Sequence, residues 1–183
     1  MTEATPSSAL AAAPADSIGR LAELIAGDPA DRLDADMKLV LTRLQDLGAR
    51  PLDLLTPQAA RRQPRPSQAI AAILGPQGQD RPDDGVAAED LSIAGAEAEL
   101  GARIYRPSGL LSRLNPIVLY FHGGGFVTGD LDSHDASARA LARRSGAIVV
   151  SVAYRLAPEH RFPAAHDDAW AAWQWLVGKA RDL

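Results

Sequence analysis

The sequence predicts an α/β protein: helices first, then a mostly parallel β-sheet flanked by helices. Three observations carry that reading. The runs "PIVLYF", ending at Phe121, and "AIVVSV", ending at Val152, are apolar without alternation, as strands buried on both faces are, and each leads into a helix-patterned stretch. Upstream of Gly85 the apolar residues recur at helical spacing. Between these regions "VAAEDLSIAG" and "AEAELGARIYRP" read as two short strands around a glycine-containing turn, a hairpin.

In chain order, residues 1–15 are expected to be a disordered tail; "SALAAAPA" there imitates the small residues of a signal-peptidase site, but no basic segment precedes it. Residues 16–84 read as N-terminal cap helices and a linker. In "DSIGRLAELIAG" either Asp16 or Ser17 can cap a helix carrying Leu21, Leu24 and Ile25, closed by Gly27. In "DADMKLVLTRLQDLG" Asp34 stands at the start, Met37, Val40, Leu41, Leu44 and Leu47 form the apolar stripe, and Gly48 ends it. "RRQPRPS" breaks a third helical segment that runs to Leu74, and "GPQGQDRPDDG" is a turn-rich linker with its boundary at Gly85. Residues 85–183 then carry the hairpin, the strand to Phe121, the helix "SHDASARALARRSG", the strand to Val152, a long loop and the helix "PAAHDDAWAAWQWLVGKARDL". On that last helix Trp170, Trp173, Leu176 and Val177 form a stripe suited to core packing.

Composition excludes several classes of function. The 183 residues, 46% hydrophobic, suffice for one domain with a sizeable core. A net charge of −4, with lysines and arginines scattered among acids, is not the footprint of a nucleic-acid binder. With no cysteine there is no disulfide framework, thiolate zinc site or cysteine nucleophile, which fits a cytoplasmic location. No apolar run approaches the roughly 18 residues of a membrane span.

The candidate chemistry sits in "FHGGGFVTGD", Phe121 to Asp130. Ligands bind at the carboxyl ends of strands in open α/β sheets, and a glycine cluster there bares backbone N–H groups. The spacing from Gly124 to Gly129 imitates a phosphate-binding loop, but Asp130 stands where the motif needs lysine. The other suitable anion is the oxyanion of a tetrahedral acyl intermediate, which the HGGG signature of lipases and esterases stabilises.

"HGGGFVTGDLDSHD", together with "AIVVSVAYRLAPEHRFPAAHDDAWAAWQWL", resembles the hormone-sensitive-lipase family of α/β hydrolases, with fainter similarity through "LGARIYRPSG" and the N-terminal helices. The resemblance implies the N-terminal part of an α/β-hydrolase fold, its sheet incomplete, and hydrolysis of small carboxylic esters without metal or cofactor. It makes Gly124 and Gly125 the oxyanion donors, Gly123 the residue that lets the turn close, and His122 a support for the loop. Tyr154, Arg155, Pro158 and Glu159 match the family's structural loop, Arg161 departs from it, and Asp167 or Asp168 is placed to pair with Arg155. Pro163 suits the first turn of the last helix.

The family's remaining catalytic groups are absent from the chain. No serine, Ser133, Ser137, Ser145 and Ser151 included, lies in a G-x-S-x-G elbow, and no acid and base follow one. Neighbouring helical side chains diverge, so His134 beside Asp135 makes no relay, and His134, His160 and His166 read as surface or capping histidines. The chain is therefore expected to be an inactive, truncated esterase fragment as it stands. The alternative is a non-catalytic module, derived from an esterase, that binds a small ligand or a partner. In the resembled fold the nucleophile strand pairs beside Ile117 to Phe121, which would here be left as a sheet edge.

Overall fold

The computed structural model describes residues 33–75, 85–109 and 115–183. The tail expected at 1–15, the helix expected from Asp16 to Gly27 and most of the linker lie outside the described residues. The chain divides into two compact units, Met1–Leu39 and Val40–Leu183.

Helix α1 (Ala35–Asp46) starts where the Asp34 carboxylate accepts the Met37 N–H at 2.7 Å, a capping contact that satisfies a free donor of the first turn. It ends before Gly48, which takes φ +89°. The apolar stripe forms at the expected spacing but stays uncovered: no residue of α1 is buried, and Met37, Leu41 and Leu47 are exposed. Thr56 caps helix α2 (Pro57–Arg61), and Pro66 opens helix α3 (Pro66–Leu74), so the expected break falls at residues 62–65.

The hairpin forms as expected from β1 (Val86–Ala94) and β2 (Glu99–Pro107), antiparallel, with Val86 opposite Pro107 and Ala94 opposite Glu99. β3 (Ile117–Phe121), helix α4 (Asp135–Ser145), β4 (Ile148–Val152) and helix α5 (Ala164–Lys179) complete the described elements. Gly146, left-handed at φ +69°, closes α4. The strand order is β1-β2-β4-β3. β2 and β4 are antiparallel, and β3 and β4 form the parallel pair that their apolar sequences predict, with Ile117 opposite Ile148 and Phe121 opposite Val152. Among the described residues β3 is an edge strand.

Both faces of the sheet are covered. On one, Ile93, Leu100, Ile104, Ile148, Val150 and Val152 meet Ala172 and Leu176 of α5. On the other, Val86, Tyr105 and Val149 meet Ala138 and Ala142 of α4. All five residues of β4 are buried, which explains its lack of alternation, whereas edge strand β3 is only half-buried. Burial of each large aliphatic side chain contributes roughly 1.5–3 kcal/mol. Ser151, at mid-β4, is buried with no hydrogen-bond partner for Oγ among the described residues.

The α5 stripe is corrected by the structure. Its buried residues are Ala164, Asp168, Ala172 and Leu176, spaced by four, while Trp170, Trp173 and Val177 are exposed and Trp175 packs against the core edge. The bulky aromatics lie one side of the contact line and small alanines occupy it, so the helix sits close to the sheet.

Arg103 of β2 anchors the start of α4. It bonds Asp90 across the hairpin, Asp132 at 3.0 Å and Asp135 at 3.3 Å, and the Tyr105 hydroxyl donates to Asp135 at 3.1 Å. Burial, reinforced by Asp135, pushes the Tyr105 phenol up to about 12. This network fixes the far end of the loop that β3 feeds.

Candidate active site

β3 ends at Phe121, and the chain turns away from the sheet through His122 to Asp130. His122 is buried and stacks on Tyr154 with ring centroids 4.4 Å apart. Its Nδ1–H donates to the Gly123 carbonyl at 2.9 Å, and the Tyr154 hydroxyl donates to the His122 carbonyl at 2.8 Å. Burial raises the Tyr154 phenol, so it stays a neutral donor at physiological pH.

The turn itself is built on one acceptor. The Gly124 carbonyl receives Val127 N–H at 3.1 Å, Thr128 N–H at 2.9 Å and the Thr128 hydroxyl at 3.1 Å. Gly124 has φ +134°, and a Cβ there would lie 2.0 Å from the Thr128 carbonyl oxygen. Gly129 is equally constrained, since its Cβ would meet the Gly123 oxygen at 2.4 Å and His122 Nδ1 at 2.5 Å. Gly123 is not what lets the turn close: a Cβ there would only touch His134 Nε2 at 3.7 Å, ordinary contact. Gly124 and Gly125 N–H groups meet no acceptor among the described residues, and both residues line a cavity.

That cavity holds about 340 Å³, with Phe121, Phe126, Tyr154, Ala165, His166 and Ala169 completing its mainly apolar wall. The Phe126 ring stacks on His166 at 5.5 Å. A second cavity of about 560 Å³ lies against Gly123 and Gly124 as well, and its wall is mixed, with Arg65, Thr128, Asp130, Ser133 and His134 beside Leu52, Pro66 and Leu156. The glycine turn therefore borders two cavities of different character.

The sequence-expected histidines are dispersed. His134 occupies the position before α4 but makes no capping bond; its ring turns inward, 5.7 Å from His122, with Nδ1 3.0 Å from Ser133 Oγ. Burial, then the neighbouring His122, lowers its pKa, so it is neutral near pH 7. His160 is exposed. Ser133 Oγ also donates to the Asp130 carbonyl at 2.9 Å and accepts its N–H at 2.8 Å, so the hydroxyl braces a turn. Among the described residues no cluster of three His, Asp or Glu is placed to hold a metal ion.

The long loop after β4 is pinned from two sides. Of the two candidate partners for Arg155 the structure selects Asp168, which is fully buried and accepts Arg155 Nε, Nη2 and N–H at 2.9, 2.9 and 3.0 Å. Burial alone would raise the Asp168 carboxyl, but the Arg155 hydrogen bonds outweigh it and hold it low. On the other side Arg61 of α2 bonds Glu159, and that hydrogen bond holds Glu159 down at about 2. Arg65 pairs with Asp130 at 2.5 Å. Neither arginine was marked by a sequence motif.

Residues 118–183 match the family model described as the alpha/beta hydrolase fold. The chain carries the α/β-hydrolase fold. It is 54% identical over 95 residues to esterase LipI of Mycobacterium tuberculosis, covering 51% of this chain and 30% of that protein. It is 43% identical over 135 residues to ethyl acetate hydrolase of Pseudomonas putida, covering 73% of this chain and 40% of the relative. Among solved structures, the hyperthermophilic esterase of the archaeon Pyrobaculum calidifontis superposes with a TM-score of 0.64 at 36% identity, over 82% of this chain and 45% of the esterase. The chain thus spans less than half the length of each of these relatives. No described helix is long and apolar enough to cross a membrane.

Proposed function

We propose that this chain supplies the oxyanion-binding half of a carboxylic-ester hydrolase. The observation that carries the reading is the pair of N–H groups on Gly124 and Gly125 that meet no acceptor among the described residues, set beside a mainly apolar cavity by a turn that only glycine can make at position 124. Two fixed donors at that place bind negative charge as it develops on an ester carbonyl, each worth roughly 2.7–4 kcal/mol in the transition state. His122, hydrogen-bonded to Gly123 and stacked on Tyr154, supports the loop and is not the base. The names of the relatives, esterases and an ethyl acetate hydrolase, support small esters as substrates.

The chemistry needs a nucleophile and a base. Serine would attack the carbonyl, a histidine would take its proton, and the oxyanion would rest on Gly124 and Gly125; the histidine would return the proton to the departing alcohol, and water would then release the acid from the acyl-serine. Residues 1–183 hold no G-x-S-x-G serine, and the hydroxyl of Ser133 is engaged in its turn. Alone, the chain should hydrolyse p-nitrophenyl acetate no faster than its denatured form. Joined to the C-terminal portion of the Pseudomonas putida hydrolase it should turn the ester over, and Gly124→Val should lower kcat about a hundredfold or more. A covalent phosphonyl adduct formed by a phosphonate probe on the chain alone, or a Gly124→Val effect confined to KM, would refute the assignment.

A further inference from the structure

The glycine turn has an unusual backbone. Gly124, Gly125 and Phe126 take φ +134°, +61° and +62° in succession, and at Phe126 that is a conformation side chains rarely adopt. A turn of this kind persists only when its surroundings hold it, because rotation of a single peptide would replace an N–H by a carbonyl at the cavity wall. The carbonyls are what the surroundings hold. Gly124 O is bound within the turn, and Phe126 O accepts the Ala157 N–H at 2.8 Å. Val127 O accepts Arg61 Nε at 2.7 Å, and Arg61 Nη2 reaches the Ala157 carbonyl, also at 2.7 Å. One planar guanidinium therefore ties the glycine turn to the loop after β4 at the residue that itself binds Phe126. Its remaining valence goes to Glu159, at 3.0 Å through Nη1 and 2.7 Å through Nη2.

We propose that Arg61 is the positioning residue of the oxyanion donors: by fixing the carbonyls of Val127 and Ala157 it holds the Gly124 and Gly125 N–H groups toward the cavity. The proposal rests on the functional reading above for the donors' purpose, but the tie itself is independent of it. Glu159 serves to orient the guanidinium and is secondary, since both carbonyl bonds survive without it. Lysine cannot substitute, because a single ammonium lacks the rigid fork that spans two carbonyls.

Hydrogen-exchange mass spectrometry of the 183-residue chain tests this at the segments holding Val127, Thr128 and Ala157, whose N–H groups are bonded in the turn, with Ala153, bonded to Gly101, as the control. Arg61→Met and Arg61→Lys should each speed exchange of the first three about tenfold or more and leave Ala153 unchanged, while Glu159→Gln stays within about twofold. Equilibrium dialysis with p-nitrophenyl methylphosphonate, a tetrahedral monoanion, should show binding weakened about tenfold in both Arg61 variants. Exchange that is unchanged, or that rises at Ala153 as well, overturns the proposal, as does a Glu159→Gln effect equal to that of Arg61→Met. If the unaltered chain fails to bind the phosphonate while the Arg61 variants free only the turn, the oxyanion reading falls and the positioning of the turn by Arg61 stands.

Discussion

Replacing Gly124 by alanine sets the steric reading against a matched control. The added Cβ would lie 2.0 Å from the Thr128 oxygen and 2.5 Å from its carbonyl carbon, both backbone, so the turn must open by more than an ångström. Opening breaks the Val127 and Thr128 N–H bonds to Gly124, at about 1 kcal/mol each, and a side chain at φ +134° adds about 1–3 kcal/mol. The sum, roughly 3–5 kcal/mol, is what the turn loses relative to the unaltered chain, a factor of at least about a hundred. Gly125→Ala is the control, since its Cβ would meet nothing within 4 Å and bears only the left-handed backbone cost of about 1–2 kcal/mol, about tenfold. Amide exchange across 124–130 should therefore rise at least about tenfold more in Gly124→Ala than in Gly125→Ala, and kcat of the completed enzyme should follow the same order. Equal exchange in the two variants would show that the clash at position 124 does not hold the turn.

Three further outcomes are expected. Glu159 titrates from 4.5 down to about 2 because Arg61 hydrogen-bonds its charged form, and Asp168 is also lowered, Arg155 outweighing burial; their stabilisation is present above the ordinary carboxylate values and is lost as pH falls through the lowered ones. Urea unfolding followed by tryptophan fluorescence should accordingly show lower stability at pH 2.5 than at pH 5, with a shallower loss in Glu159→Gln; identical midpoints would contradict the ion-pair account. Ser151→Ala should raise stability by about 1 kcal/mol in the same assay, because a buried hydroxyl without a partner is removed; a loss of that size would mean the hydroxyl is satisfied. The 183-residue chain should bind ANS and self-associate with concentration through β3 and the exposed Trp170 and Trp173, and Trp170→Glu with Trp173→Glu should reduce both; a monodisperse monomer by light scattering would refute this.

The regular elements could be read in the sequence wherever the signal is local. The hairpin, the apolar strands ending at Phe121 and Val152, and the helix broken by Pro64 and Pro66 each follow from a few adjacent residues. The orientation of α5 did not follow so directly, because periodicity defines a stripe but two stripes competed: the tryptophans were the larger, and the sheet took the one with Ala164, Ala172 and Leu176. Asp168 lies on that second stripe and Asp167 does not, so phasing on the alanines would have chosen the partner of Arg155. The HGGG stretch identified the loop, yet no sequence pattern tells that the tight position is Gly124 and not Gly123, since the clash involves the carbonyl four residues on. Arg61 was invisible for a different reason. Its partners stand 66, 96 and 98 residues away, and only folding brings them together.

Among the described residues β3 lies at the rim of the sheet, and that position has a geometric corollary. Its outer row of backbone groups and the glycine turn belong to one continuous stretch, Ile117 to Gly125, so the open rim and the turn that lines the cavity share an address. A strand laid along this rim in the same direction would run about 4.8 Å from β3 and finish level with His122. Whatever residue came next on the newcomer would emerge beside the Gly124 and Gly125 N–H groups with no search of its own. Assembly would act as the aiming device, and a register error of one residue would turn that side chain to the opposite face.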